Sequence, residues 1–239
     1  MIYPRIIAHR CGGALAPENT LAGLRVAARL GCRGVEFDAM LAADGVPVLI
    51  HDETLERTTS GLGKVAGMDP TQRIDLDAGA KHHPAFAGEP LPTLDQALLL
   101  CAELGLWANV EIKPSTGHEI ETGRVVARHA VAAKCAVLLS SFSAETLISA
   151  ADAAPRLPRA LLVGPVPEDW RTRMAKVNAV ALHSSARALT PEALRAVRDA
   201  GIPLACYTLN HRDDAEYLLA GGVCAVFSDR PDLWLPWEM

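Results

Sequence analysis

Residues 6–20 read IIAHRCGGALAPENT: a short apolar run, then His9 and Arg10, then a glycine turn, then a helix start at Asn19 or Thr20. Ser, Thr, Asp and Asn side chains accept from the first free helical amides, and Leu21, Leu24 and Ala28 follow at helical spacing. This is a strand–loop–helix unit, and it recurs along the chain. Apolar, strand-like runs fall at 5–9, 34–38, 108–112, 137–142, 159–163, 179–183, 203–208 and 225–228. Several carry apolar neighbours on both faces, as strands do in a parallel sheet covered on both sides. The intervening helices have readable ends. Thr93 and Gln96 form a capping box ahead of Leu94, Ala97, Leu98 and Cys101; Thr190-Pro191 starts a helix and Gly221-Gly222 stops one. Eight strands alternating with helices predict an α/β fold of the (β/α)8 TIM-barrel class.

Most strands start roughly 20 to 30 residues apart, a normal βα period. The interval from Gly34 to Ala108 is far longer. Ala43-Asp44-Gly45 reads as a hairpin turn, and VPVLIHD at 46–52 as an extra strand folding back beside the second barrel strand. Residues 52–92, polar and then rich in Gly, Pro and His, read as a small insertion over one end of the barrel. The expectation is one domain over 1–239 with this inserted region.

Half of the residues are hydrophobic and few are aromatic, which gives an aliphatic core. A net charge of −5 offers nothing to nucleic acid or an anionic membrane. The first residues meet a charge too soon for a signal peptide, and no apolar run approaches a membrane span. Six cysteines without paired spacing read as reduced thiols of a cytoplasmic protein, not as a zinc site.

Barrels of this class do their chemistry at the C-terminal ends of the strands. Those ends carry His9-Arg10, Glu36 and Asp38, Glu111 and Lys113, His183, Tyr207 with Asn210, and Asp229. Glu36 and Asp38 are two apart on a strand, so they share a face, and Glu111 and Lys113 repeat the spacing. Glu36 paired with Lys113 or Arg10 as a buried ion pair is the competing reading. Glu111 at the equivalent place on the next barrel strand favours a cation instead, because converging carboxylates repel. All-oxygen ligands suit Mg²⁺ or Ca²⁺. His51 ends the extra strand as His9 ends the first. Two histidines, Arg10, Lys113 and three carboxylates at one rim match the needs of phosphodiester cleavage.

The ordered series AHR…PENT, VEFD, DG…VLIHDETLERTT, NVEIKP, LLSSF, YTLN and SDRP resembles the motifs of the glycerophosphodiester phosphodiesterase family, from His9 to Pro231. The cytoplasmic bacterial branch is the most similar. The resemblance implies the same barrel with its inserted region after the second strand. It implies Glu36, Asp38 and Glu111 as ligands of Mg²⁺ or Ca²⁺, His9 and His51 as general acid and base, and Arg10 and Lys113 on the phosphate. Phe142 and Tyr207 match apolar wall positions of the substrate pocket; many members have tryptophan in place of Tyr207. Glu18 and Asn19, within PENT, take supporting or rim roles.

The implied reaction is hydrolysis of glycerophosphodiesters such as glycerophosphocholine or glycerophosphoethanolamine to sn-glycerol 3-phosphate and an alcohol, with the substrate's own C2 hydroxyl forming a cyclic phosphate. One departure is Cys11, where many members have glycine after His-Arg; Gly12 and Gly13 are expected to take over its conformational role. Arg57 is expected to fix the inserted segment, Asp229 to support the last strand end, and His82, His83, His118, His129 and His211 to be solvated. Trp170, Trp234 and Trp237 are expected to pack helices and the C-terminal end. Competing readings are a phospholipase D- or C-like barrel acting on lipids and a non-catalytic phosphodiester sensor.

Overall fold

The structure, a computed structural model, describes residues 3–234, so Trp237 lies outside the described residues. Nine strands and eight α-helices follow one another in the order β1 (Ile6–Ala8), α1 (Leu21–Arg29), β2 (Gly34–Leu41), β3 (Pro47–Leu49), α2 (Pro70–Ile74), α3 (Leu94–Leu104), β4 (Trp107–Ile112), α4 (Glu119–Val131), β5 (Val137–Ser141), α5 (Ala144–Ala153), β6 (Arg159–Val163), α6 (Trp170–Lys176), β7 (Ala181–Ser185), α7 (Pro191–Asp199), β8 (Leu204–Tyr207), α8 (Arg212–Ala220) and β9 (Ala225–Ser228). All strands but β3 are parallel to their neighbours, and β1 pairs with both β2 and β9, which closes an eight-stranded barrel. The fold is the predicted (β/α)8 TIM barrel with its insertion after the second barrel strand.

Alternation along the strands decides what fills the barrel. Inward residues two apart form a cluster of Ile7, Trp107, Leu138, Ala160, Ala181, Ala205, Ala225 and Phe227. The outward residues of the same strands pack against the helices in two larger clusters, one around Leu24, Val35, Phe37, Val110 and Leu139, the other around Leu161, Leu182, Val197 and Val226. Alanine on four successive strands leaves little apolar bulk inside, so the upper interior of β2 and β4 is open to the polar side chains Glu36, Asn109 and Glu111.

Local chemistry sets the helix ends as the sequence predicts. Thr20 caps α1 through Gly23 N, Thr93 and Gln96 complete a capping box on α3, and Thr190 with Pro191 starts α7. Gly45, at φ 77°, turns the β2–β3 hairpin, and β3 pairs antiparallel to β2. The segment that follows is packed. Leu55, Val65, Met68, Leu76 and Leu91 share a small core with Met40 and Ile50.

Two local expectations are corrected. The seventh strand spans 181–185, two residues later than the apolar run 179–183. Asn178, at φ 50°, ends α6 with its amide on Ala175 O and that of Ala179 on Met174 O, a left-handed helix termination that consumes Ala179. Cys11 keeps the left-handed conformation itself, at φ 74°, Gly12 sits at φ −111°, and only Gly13 of the two glycines is left-handed, at φ 61°. Its Cβ is accommodated because the facing residue is Gly23, where an added Cβ would lie 2.9 Å from Cys11 Cβ. The Cys11 thiol is fully buried and burial pushes its pKa well up, so it is inert at neutral pH.

Trp170 and Trp234 are buried, as expected. No helix among the described residues is long and apolar enough to cross a membrane.

Candidate active site

The C-terminal rim gathers every residue the sequence marked there except one. His183, in the middle of β7, is fully buried inside the barrel, with Nε2 3.0 Å from the Tyr3 hydroxyl. Burial holds its pKa down to about 3, so it is a neutral core histidine. It was misplaced because the strand starts two residues later than the apolar run.

Glu36 and Asp38 project from β2 and Glu111 from β4, in register across the strand pair. One carboxylate oxygen from each lies within 4.8 Å of the others. Glu36 is 3% and Asp38 1% exposed, and Oε1 of Glu36 has no hydrogen-bond partner among the described residues. An orphaned buried carboxylate oxygen costs on the order of 1–3 kcal/mol, so this constellation fits a hard cation. Burial, and then the neighbouring Asp38 charge, push Glu36 up to about 7 and Glu111 well above the usual carboxylate range. Asp38 stays low despite burial because Lys113, His51 and Arg10 surround it. Asn19, at φ 57°, fixes that carboxylate, donating from Nδ2 to Oδ2 at 2.9 Å and accepting from Asp38 N at 3.0 Å.

Lys113 Nζ lies 3.6 Å from Asp38 and 3.9 Å from Glu111. Arg10, at φ 50°, gives its backbone amide to Glu36 Oε2 at 2.9 Å. Its guanidinium donates to Glu18 at 3.1 Å and comes within 3.9 Å of Asp38.

Each rim histidine is backed by a carboxylate. His9 Nδ1 lies 2.6 Å from Asp229, and His51 Nδ1 lies 2.6 Å from Asp52. In each case the ring gives Nδ1–H to the carboxylate and leaves Nε2 facing the site. The two environments then diverge. Burial favours neutral His9, but the Asp229 hydrogen bond and the Glu36 charge outweigh it and hold the ring above the ordinary imidazole value. Burial wins at His51, which lies below that value despite Asp38 and Asp52. Asp229 is anchored in turn by Asn210, which donates to Oδ2 at 2.9 Å and accepts from Asp229 N at 2.8 Å. On the other side Arg57 clamps Glu18 with two 2.8 Å bonds and also donates to Asp52, so the inserted segment is tied to both His51 and Arg10.

Tyr207, its hydroxyl on Val163 O at 2.7 Å, meets Phe142 edge-on at 6.1 Å. Both rings line the inner cavity beside Glu111, and Phe142 is 54% exposed. His82, His83, His118 and His211 are exposed, while His129 is half-buried and pairs with Asp95 at 2.7 Å.

Two roles went unread in the sequence. Asp229 does more than support a strand end, since it orients His9 from 220 residues away. The register Ala8↔Ser228 carries the signal, because it places the next residue of each strand side by side. Asp52, next to His51 in the chain, is its carboxylate partner.

Two imidazoles positioned by carboxylates, beside Arg10 and Lys113, suit acid–base cleavage of a phosphate ester. The family model for the Glycerophosphoryl diester phosphodiesterase family matches residues 9–233, and the chain belongs to that family. Its enzyme class is accordingly glycerophosphodiester phosphodiesterase, a phosphoric diester hydrolase. A glycerophosphodiester phosphodiesterase of Caldanaerobacter subterraneus is 33% identical over 95% of this chain and 94% of its own. One from Bacillus subtilis is 31% identical over 95% and 84%. An Oleispira antarctica phosphodiesterase, solved in complex with the product sn-glycerol-3-phosphate, superposes with a TM-score of 0.93 at 33% identity, covering 96% of this chain and 94% of its own.

Proposed function

We propose that the chain, as one unit that includes the segment at 52–92, hydrolyses glycerophosphodiesters such as glycerophosphocholine and glycerophosphoethanolamine to sn-glycerol 3-phosphate and an alcohol, in a Mg²⁺- or Ca²⁺-dependent reaction. The observation that carries this reading is the trio Glu36, Asp38 and Glu111, with its orphaned Glu36 oxygen, flanked by His9 and His51. The product bound to the Oleispira relative supports the glycerol 3-phosphate half.

Glu36, Asp38 and Glu111 hold the cation, which when bound supplies positive charge to the phosphate and lowers the pKa of a neighbouring hydroxyl. Arg10 and Lys113 grip the phosphate oxygens. Phe142 and Tyr207 wall the substrate. One imidazole takes the proton of the glycerol C2 hydroxyl, whose oxygen attacks phosphorus and gives a cyclic phosphate. The other imidazole protonates the alcohol oxygen as its bond to phosphorus breaks. Water then opens the ring with the two roles exchanged. Asp52 and Asp229 position the two rings through their Nδ1–H groups. The free thiols of Cys11, Cys101, Cys135, Cys206 and Cys224 fit a cytoplasmic, reducing setting.

The test is a substrate pair. Turnover of glycerophosphocholine should far exceed that of bis-p-nitrophenyl phosphate, which has no vicinal hydroxyl. Comparable rates would reject the cyclic route. His51→Ala should remove turnover while calorimetric metal binding persists; a sensor would have no turnover to lose.

A further inference from the structure

Two spaces open from His9. The inner one, a cavity of about 40 Å³, runs down past Glu111 to Phe142 and Tyr207. The outer one, a cavity of about 510 Å³, lies between the barrel rim at Asp229 and Arg230 and the inserted segment at Arg57 and Lys81. His9 lines both, and His51 lines neither. We infer that the outer cavity receives the leaving alcohol, that His9 is the group that protonates it, and that the cavity selects alcohols carrying an anionic group, a phosphate or phosphodiester, over quaternary ammonium alcohols. The inference rests on the reaction proposed above.

Charge in this cavity is one-sided. Two carboxylates line it, and both are engaged: Glu18 by Arg10 and Arg57, and Asp229 by His9 and Asn210. Neither is left to greet an incoming ammonium. Lys81, exposed on the inserted segment, gives its ammonium to the backbone carbonyl of Glu56, and its charge also reaches the Glu56 carboxylate. The Glu56 carboxylate itself accepts from Gly63 N at 2.7 Å. Arg230 is partly exposed and shares its charge with Asp232. The alternative way to hold a quaternary ammonium is an aromatic cage, and no Trp, Tyr or Phe lines the cavity. Its rings are the imidazoles of His9 and His82, the latter packed edge-on against Phe86 at 5.6 Å. What remains is a cationic wall facing water, suited to a ligand oxyanion.

Cleavage adds one water across the bond between phosphorus and the alcohol oxygen. For bis(glycerophospho)glycerol, the deacylated form of a diphosphatidyl lipid, the products are glycerol 3-phosphate and glycerophosphoglycerol. The departing alcohol keeps the second phosphodiester and its negative charge.

The experiment measures initial kcat/KM for three diesters that share the glycerol 3-phosphate half: bis(glycerophospho)glycerol, per scissile end, whose leaving alcohol is anionic; glycerophosphoglycerol, whose leaving glycerol is neutral; and glycerophosphocholine, whose leaving choline is cationic. An exposed ion pair is worth up to about fivefold, so Lys81 and Arg230 together should favour the anionic alcohol over the neutral one by about tenfold, with choline last. About 0.5 M salt should shrink that ratio through screening. Lys81→Glu, and separately Arg230→Gln, should each lower the ratio. Glycerophosphocholine as the best of the three, or a ratio unmoved by both variants, overturns the charge selection while leaving the reaction standing. No glycerol 3-phosphate from any of the three rejects the reaction itself, and this inference falls with it.

Discussion

Replacing Asp229 by Asn keeps the shape at His9 and removes the charge. The bond at stake is the 2.6 Å contact to Nδ1, between side chains 20% and 35% exposed. A hydrogen bond to a charged group contributes about 1.5–3 kcal/mol. The partial exposure of Asp229 argues for the lower figure, because solvent screens the pair. Losing that contact should lower the His9 pKa. It begins above the ordinary imidazole value, so the variant ring should titrate nearer to that value. With metal saturating, the basic limb of the kcat/KM profile for glycerophosphocholine, which reports loss of protonated His9, should move to lower pH, with lower activity above the limb.

A histidine with a raised folded pKa stabilises the fold below its unfolded value of about 6.5, and that stability is lost as pH rises through the folded value. Asp229 is depressed by the same contact, so its contribution holds above about 3.9 and is lost as pH falls through its folded value. The wild type should therefore exceed the variant most between about pH 4 and 6.5. A limb that stays in place, with wild-type activity, would refute the coupling.

Three further outcomes are expected. Glu36, raised to about 7, and Glu111, raised well above the usual carboxylate range, leave the folded metal-free protein with more bound protons than the unfolded chain between about pH 5 and 7. Its Tm should fall across that interval, and Mg²⁺ or Ca²⁺ affinity should rise as proton release becomes unnecessary; calorimetry in buffers of differing ionisation heat checks both. Gly13→Ala should cost activity at least tenfold by forcing the Asp229 backbone away from His9. Gly13 sits at φ 61°, and an added Cβ would lie 2.3 Å from Asp229 O; unchanged kinetics would contradict that. Thr93→Ala should lower stability by about 1 kcal/mol through loss of the α3 capping box, read by urea unfolding, with activity retained.

Much of this was legible because it is periodic. The strand–helix alternation gave the barrel, and the two-residue spacing of Glu36 with Asp38, repeated at Glu111 with Lys113, gave one shared face without any long-range information. The parts that were not legible depend on closure or on exact strand ends. Asp229 meets His9 only because β9 pairs with β1, and Asn210 reaches Asp229 from the loop after β8. His183 fell at the apparent rim until the Asn178 termination shifted β7 by two residues. At Cys11, the identity of one residue suggested that its glycine neighbours would carry the positive φ. Gly23, twelve positions along and on another element, supplies the space that lets cysteine do so.

The most direct test is glycerol 3-phosphate release from glycerophosphocholine, coupled to its dehydrogenase, with Mg²⁺, with Ca²⁺ and with EDTA. Release with at least one metal, abolished by EDTA and by Glu36→Gln, is the predicted result. Equal release in EDTA, or none from folded protein with either metal, would contradict a cation-dependent glycerophosphodiesterase built on Glu36, Asp38 and Glu111.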